Sequence, residues 1–262
     1  MSDWIAAEYA HGAQLQQVMA DEALSLLHLH GNEVILDVGC GDGRITARIA
    51  ANVVDGFVVG IDPSRDMIAS AVVHFPVGQI RNLRFEIGDG RALPHRRAFD
   101  LIVSFNALHW IPDQDAALAS IAAALRPAGQ ALLRLVPQGP RQSLETVVEQ
   151  TRHSPRWSGY FEGFCDPYLH LTPEHYAAAA ERNGLRVVRL RTTDKAWPFE
   201  SRQQFAAFCT MGCRAWTRRL PQHEGATFID DVLTRYAAAT GQDADAVSTF
   251  RFYQMDITLA LA

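Results

Sequence analysis

Positive charge is in short supply. Lys and Arg number 24 against 29 Asp and Glu, for a formal net charge of -5. A surface that binds a phosphate backbone carries a basic footprint, so nucleic acid is not the expected main partner. Cysteine is sparse as well: Cys40, Cys165, Cys209 and Cys213, with no C-x-x-C pair. That argues against a disulfide framework or a zinc site, so no metal is expected, and it makes a reducing cytoplasm the expected location. The N-terminal segment lacks the apolar run of a signal peptide, and no run reaches the ~20 residues of a membrane span. Repeats and low-complexity segments are missing too. What remains is a 262-residue chain that is 48 % hydrophobic, long and apolar enough for one large core or two small ones.

One stretch organises the rest. Val34-Ile-Leu-Asp-Val38 is a short, β-branched apolar run, and Gly39, Cys40, Gly41, Asp42 and Gly43 follow it before a helical pattern starts at Ile45. This predicts a buried parallel strand, a tight glycine turn and a helix N-terminus whose free N–H groups face a ligand. A dinucleotide turn reads G-x-G-x-x-G, and its third glycine would fall on Arg44. Instead Asp37 stands two residues before the first glycine. A carboxylate there repels a pyrophosphate and suits a cationic or amine-bearing ligand; the alternative is an ordinary strand–turn–helix.

The remaining elements follow from period and punctuation. Residues 13–29 read as an amphipathic helix. Gly56–Asp62 is a second buried strand ending in a carboxylate, about 20 residues past Gly43, the offset of an acid that accepts ribose hydroxyls. Asp62 competes with Ser64 for a plainer role, capping the helix that carries Met67, Ile68, Ala71 and Phe75. Leu83–Ile87 is a third strand, running into Gly88-Asp89-Gly90-Arg-Ala-Leu-Pro94. Asp89 is either an acceptor for a base amine or a turn aspartate bonding its own backbone. Phe99–Phe105 is the fourth strand, and Asn106-Ala-Leu-His-Trp-Ile111 leaves its carboxyl end, where ligands of open α/β sheets sit. A helix over 113–125, a turn at Pro127 and Gly129, and a fifth strand to Val136 complete the regular part. Residues 139–171 hold Trp157, Tyr160, Phe161, Phe164 and Tyr168, which suits a pocket wall or a connection with its own small core. A helix from Thr172 to Asn183, a sixth strand over 185–197, helices over 201–216 and 226–240, and a last strand over 247–261 follow. Cys209 and Cys213 share one helical face, as buried packing residues do.

Asp37-Val-Gly-Cys-Gly-Asp-Gly43, with Asp62, Asp89 and the 106–110 loop in that order, resembles the class I S-adenosylmethionine methyltransferases. The resemblance implies a Rossmann-like α/β fold: a seven-stranded mixed sheet in order 3-2-1-4-5-7-6, its last strand antiparallel, with helices on both faces and helical cap insertions. It implies a single domain with a helical cap at 1–30, a cofactor-binding core at 31–137, and substrate-side insertions at 138–184 and 199–246. S-adenosylmethionine is then the cofactor and S-adenosylhomocysteine its product. Cofactor contacts are expected from Asp37, Gly39, Cys40, Gly41 and Gly43; from Asp62, Pro63 and Met67; from Gly88, Asp89 and Gly90; and from Asn106 and Leu108. Two departures are Gly90, where the family has alanine, and Ala128, in a Pro-Gly-Gly turn.

Leu108-His109-Trp110 is similar to the loop of the trans-aconitate and juvenile hormone acid methyltransferases, where it lies beside the reactive methyl. Tyr9 and Gln16 resemble residues of that subgroup that reach cofactor and substrate. The implied activity is methyl transfer to a small molecule, possible acceptors including a carboxylate, with His109 and Trp110 as catalytic candidates. A carboxylate needs no base; a phenol or amine would call on His109. Arg156, His153 and His170 are candidate cations for an acidic acceptor. Alternatives are a protein or nucleic-acid target, or a cofactor-binding protein that does not turn over. A monomer or homodimer without membrane attachment is expected.

Overall fold

The computed structural model describes residues 4–169 and 171–262, with side chains from Gln14 onward except Gln16. The expected roles of Tyr9 and Gln16 therefore lie outside the described side chains, and His170 lies outside the described residues. The chain forms two compact units, one of residues 20–137, 169–193 and 254–262, the other of residues 1–19, 138–168 and 194–253.

The first unit is built on a seven-stranded sheet in the order β3-β2-β1-β4-β5-β7-β6. Its strands are β1 (Val34–Val38), β2 (Phe57–Asp62), β3 (Leu83–Ile87), β4 (Phe99–Phe105), β5 (Leu125–Leu135), β6 (Leu185–Pro198) and β7 (Thr249–Leu261). The pairs β1–β2, β1–β4, β2–β3 and β4–β5 are parallel, while β7 runs antiparallel to β5 with Leu135 opposite Met255 and Arg134 opposite Asp256. The expected fold and strand order are those observed.

Strand alternation sorts the core into two layers. Leu36 and Val38 pack on one face with Leu118, Ile121, Tyr176 and Ala180, carried by α4 (Gln114–Ala124) and α6 (Pro173–Arg182). Ile35 and Val58 pack on the other with Ala23 of α1 (Trp4–Ser25) and Ile49 and Ala50 of α2 (Arg44–Asn52). Side-chain oxygens close the helix N-termini: Ser64 for α3 (Arg65–His74), Asp113 for α4 and Thr172 for α6, which has Pro173 at its first position. Gly184, at φ +77°, ends α6.

In the second unit α5 (Leu144–Arg152), α7 (Arg202–Gly212), α8 (Arg214–Thr217) and α9 (Gly225–Thr240) surround an aromatic core. Trp157, Trp216, Phe205 and Phe228 are almost wholly buried in it, as are Cys209 and Cys213. Trp157 Nε1 donates to Asp231 at 2.8 Å, so the one polar atom of that ring is satisfied.

Two expected boundaries moved. The first helix spans Trp4–Ser25 rather than 13–29: Ala6, Ala7, Glu8 and Ala10 give its early turns enough helix propensity to extend it without an amphipathic stripe. The helix expected over 201–216 breaks after Gly212 into α7 and α8, since glycine is the weakest non-proline helix former.

Candidate functional site

Every element of the candidate site whose side chains are described belongs to the sheet-containing unit. β1 ends at Val38, and Gly39, Gly41 and Gly43 all take positive φ (80°, 54° and 80°), the region open to glycine at no steric cost. The turn is stitched to the next strand, since the N–H groups of Gly39 and Cys40 both donate to Ile61 O at 2.8 and 2.9 Å. Gly39 is required twice over: a Cβ there would overlap the Cβ of Ala107. The glycine turn and the loop after β4 thus touch backbone against side chain. Cys40 is buried, and burial followed by the charges of Asp37 and Asp62 pushes its thiol up. It is a neutral packing group and not a nucleophile.

The three expected acids sit in three different settings. Asp37 is 2 % exposed, and its Oδ2 accepts from Thr46 Oγ1 of α2 at 2.7 Å. Burial, with a smaller contribution from the charge of Asp62, raises its carboxyl to about 6 despite the Thr46 bond. Asp62, at the end of β2, is half-buried. Its two oxygens accept from the N–H groups of Gly41 (3.0 Å) and Ser64 (2.9 Å). The cap of α3 belongs to Ser64, which accepts from Met67 N–H at 3.3 Å. Asp62 therefore ties the glycine turn to the β2–α3 turn rather than capping. Pro63 and Met67 flank it on the surface, Met67 being 47 % exposed.

Asp89 follows β3 and is engaged by Arg91, which its motif did not signal. The guanidinium donates to it through Nη2 at 2.6 Å and Nε at 3.0 Å, and the Arg91 N–H donates to Oδ1 at 2.9 Å. This is the turn geometry weighed above, and the Arg91 side-chain bond holds the carboxyl below its usual range. Gly88 packs on Ile61, and a Cβ on Gly90 would press to 3.0 Å from Val38 and 3.2 Å from Ile111. The absence of the family's alanine thus follows from a tight fit between the end of β1 and Ile111 of the loop after β4.

The loop after β4 is strained at its start and anchored throughout. Asn106 adopts φ +57°, which is uncommon outside glycine and gathers at functional sites. Its N–H donates to Arg134 O at 2.8 Å, and its Oδ1 accepts from Gln254 Nε2 at 3.2 Å. Leu108 is buried, His109 is 5 % exposed and Trp110 is 41 % exposed. Val136 N–H donates to His109 Nδ1 at 3.4 Å, and Leu169 N–H to His109 O at 2.9 Å. A neutral imidazole that accepts at Nδ1 carries its proton on Nε2. Gln114 Nε2 donates to Leu108 O and Ile111 O, both at 2.6 Å.

The structure thus brings together the glycine turn, Asp37, Asp62, the 88–90 turn and the 106–110 loop. Thr46, Gln114 and Gln254 were not foreseen. Each is a polar residue that no motif marks, and the partners of Thr46 and Gln254 are set by the tertiary fold. Two of the candidate cations are otherwise engaged: Arg156 lies 3.7 Å from Glu224 and 3.6 Å from Asp231, over the Trp157 ring, and His153 lies 3.9 Å from Glu149. Among the described residues no cluster of His, Cys, Asp and Glu could hold a metal ion, and no helix is long and apolar enough to cross a membrane.

Residues 35–129 match the family model described as a methyltransferase domain. The chain is similar to the trans-aconitate 2-methyltransferase of Shigella dysenteriae, 30 % identical over 237 residues, 90 % of this chain and 88 % of that protein. It is also similar to the juvenile hormone acid O-methyltransferase of Bombyx mori, 27 % identical over 157 residues, 56 % of each. Among solved structures, a phosphoethanolamine N-methyltransferase of Haemonchus contortus in complex with S-adenosylhomocysteine superposes with a TM-score of 0.60 at 15 % identity, over 92 % of this chain and 53 % of that one.

Proposed function

The chain belongs to the class I S-adenosylmethionine-dependent methyltransferases, and from that membership we propose that it methylates a carboxylate oxygen of a small molecule. When bound, the cofactor supplies a methyl group on a sulfonium, open to displacement in line by a nucleophile. The residues fit such a cation. Among the described residues the charge that acts on the desolvated Asp37 carboxyl is that of another acid, Asp62, so a positive ligand would suit it. Asp62 uses one lone pair on each oxygen for main-chain N–H groups and keeps further acceptor sites for two hydroxyls. In this reading Asp37 faces the amino-acid end, Asp62 the ribose, and Asp89 the adenine amine. The last contact requires Asp89 to share or release Arg91.

One observation carries the choice of acceptor. The Val136 N–H donates to His109 Nδ1 at 3.4 Å, which favours the neutral ring with its proton on Nε2 and weakens His109 as a general base. A general base needs a free lone pair within reach of the acceptor. A carboxylate is ionised at neutral pH and needs none. Trp110 then acts as an exposed wall that orients the acceptor, and orientation with exclusion of water does most of the work of a displacement, up to roughly 7–11 kcal/mol of its barrier. The named activities of the two relatives, both on organic acids, support the same reading.

The test is to incubate the protein with methyl-labelled cofactor and a panel of carboxylic acids, phenols and amines. Label should appear in alkali-labile methyl esters, and His109→Gln should lower that rate by less than tenfold. Transfer only to phenols or amines, abolished in His109→Gln, would overturn the proposal. Transfer only to protein or nucleic acid would too, and so would cofactor binding without any transfer.

A further inference from the structure

Two glutamines outside every motif hold the loop Asn106–Ile111. Gln254, wholly buried on β7, donates from Nε2 to Leu135 O at 3.1 Å and to Asn106 Oδ1 at 3.2 Å. Gln114, 5 % exposed at the start of α4, donates from Nε2 to Leu108 O and Ile111 O. In both residues the carboxamide oxygen is buried without a hydrogen-bond partner. A buried acceptor left unsatisfied is destabilising. Methionine would fill nearly the same volume without that penalty. The amide is therefore explained by its donor half alone, and at both positions the donor half points at the same loop.

Beside Gln114 lies a cavity of about 360 Å³ whose walls also include Pro112, Asp113 and Leu169, and Leu169 is the residue that holds His109 O. A loop with Asn106 at φ +57° at its start relaxes once its hydrogen bonds are cut.

We propose that Gln254 and Gln114 are positioning residues for methyl transfer. They clamp the two ends of the 106–111 loop so that His109 and Trp110 present a fixed wall to the acceptor. This rests on the reading of that loop as the acceptor-side wall. Neither glutamine touches the reacting atoms; each acts through Asn106 or through the Leu108 and Ile111 carbonyls.

Gln254→Met and Gln114→Met, made separately in the full chain, test it, each standing if the other fails to fold. Amide hydrogen exchange across 106–111, read with S-adenosylhomocysteine bound, should accelerate at least tenfold. Affinity for S-adenosylhomocysteine by calorimetry should fall by less than kcat/KM for the acceptor does, because Asp37, Asp62 and the glycine turn are not held by either glutamine. With whichever acceptor of the panel is labelled, kcat/KM for the acceptor should fall at least tenfold while a cooperative thermal transition and a wild-type circular dichroism spectrum show that the variant stays folded. Unchanged exchange in the loop, or wild-type transfer in both variants, would overturn the proposal. The exchange measurement needs no acceptor, so failure of the carboxylate reading leaves a separate signature: label on phenols or amines with the clamp intact.

Discussion

Asp37 shows how one residue links burial, pH and ligand. Its carboxyl rises from an ordinary value near 4 to about 6 in the folded protein. Between those pH values the folded chain holds a proton that the unfolded chain has lost. Stability therefore falls as pH rises through the window from about 4 to about 6, and the deficit persists above it. Two pKa units correspond to roughly 2–3 kcal/mol. Asp37→Asn keeps an acceptor for Thr46 and removes the charge. Without ligand, the variant should be more stable than wild type by up to that amount at pH 8 and no more stable near pH 4, read by denaturant titration. Its affinity for S-adenosylhomocysteine should fall at least tenfold, and wild-type affinity should strengthen as pH rises through 6. A stability difference that ignored pH would remove Asp37 from this role. The position of Asp37 was legible from its place before the glycines, but its raised pKa was not, because desolvation depends on what α2 lays over it.

At the scale of elements, the glycine turn and the loop after β4 form one construction. The overlap that a Cβ on Gly39 would make with Ala107 couples them, and φ +80° at Gly39 adds backbone strain for any other residue. Gly39→Ala should cost about 1–3 kcal/mol from the backbone alone, plus the clash. Adding Ala107→Gly should return the clash portion and leave the backbone portion, so a double-mutant cycle should show a favourable coupling above about 0.5 kcal/mol. Additive effects would mean that the two loops do not bear on each other. The strands and the glycine turn were readable from periodicity and punctuation. The division of labour at the β2 end was not. Ser64 caps α3 while Asp62 binds two N–H groups, and both residues are equally good caps on paper. Likewise Arg91 closes on Asp89, a local pairing that a motif centred on the aspartate does not anticipate.

For the molecule as a whole, the last strand closes the sheet through a buried charge. Arg134 is 3 % exposed and meets Asp256, its cross-strand neighbour on β7, through Nε at 2.6 Å. Glu22 stands 3.3 Å from the same guanidinium. Asp256→Asn takes from a desolvated cation its 2.6 Å carboxylate, leaving the longer contact to Glu22, and should destabilise the folded state by about 3 kcal/mol. Asp100→Asn breaks the Arg126 pair, whose side chains are 42 % and 36 % exposed, and should cost about 1 kcal/mol or less. Equal losses in chemical denaturation would show that burial does not set the value of these pairs. The sequence by itself determined the succession of strands and helices, the glycine turn suited to a cationic or amine-bearing ligand and the acids near three strand ends, because period, glycine spacing and strand-end position are local properties of a chain. Only the tertiary structure decided which of those acids is desolvated, which is already paired, that His109 accepts from the Val136 N–H, and that two unremarked glutamines grip the loop. The His109–Val136 and Gln254–Asn106 contacts bring together groups far apart in sequence, the Asp89–Arg91 and Gln114 bonds need the folded turn to aim groups that are near in sequence, and the desolvation of Asp37 needs the loss of water around it.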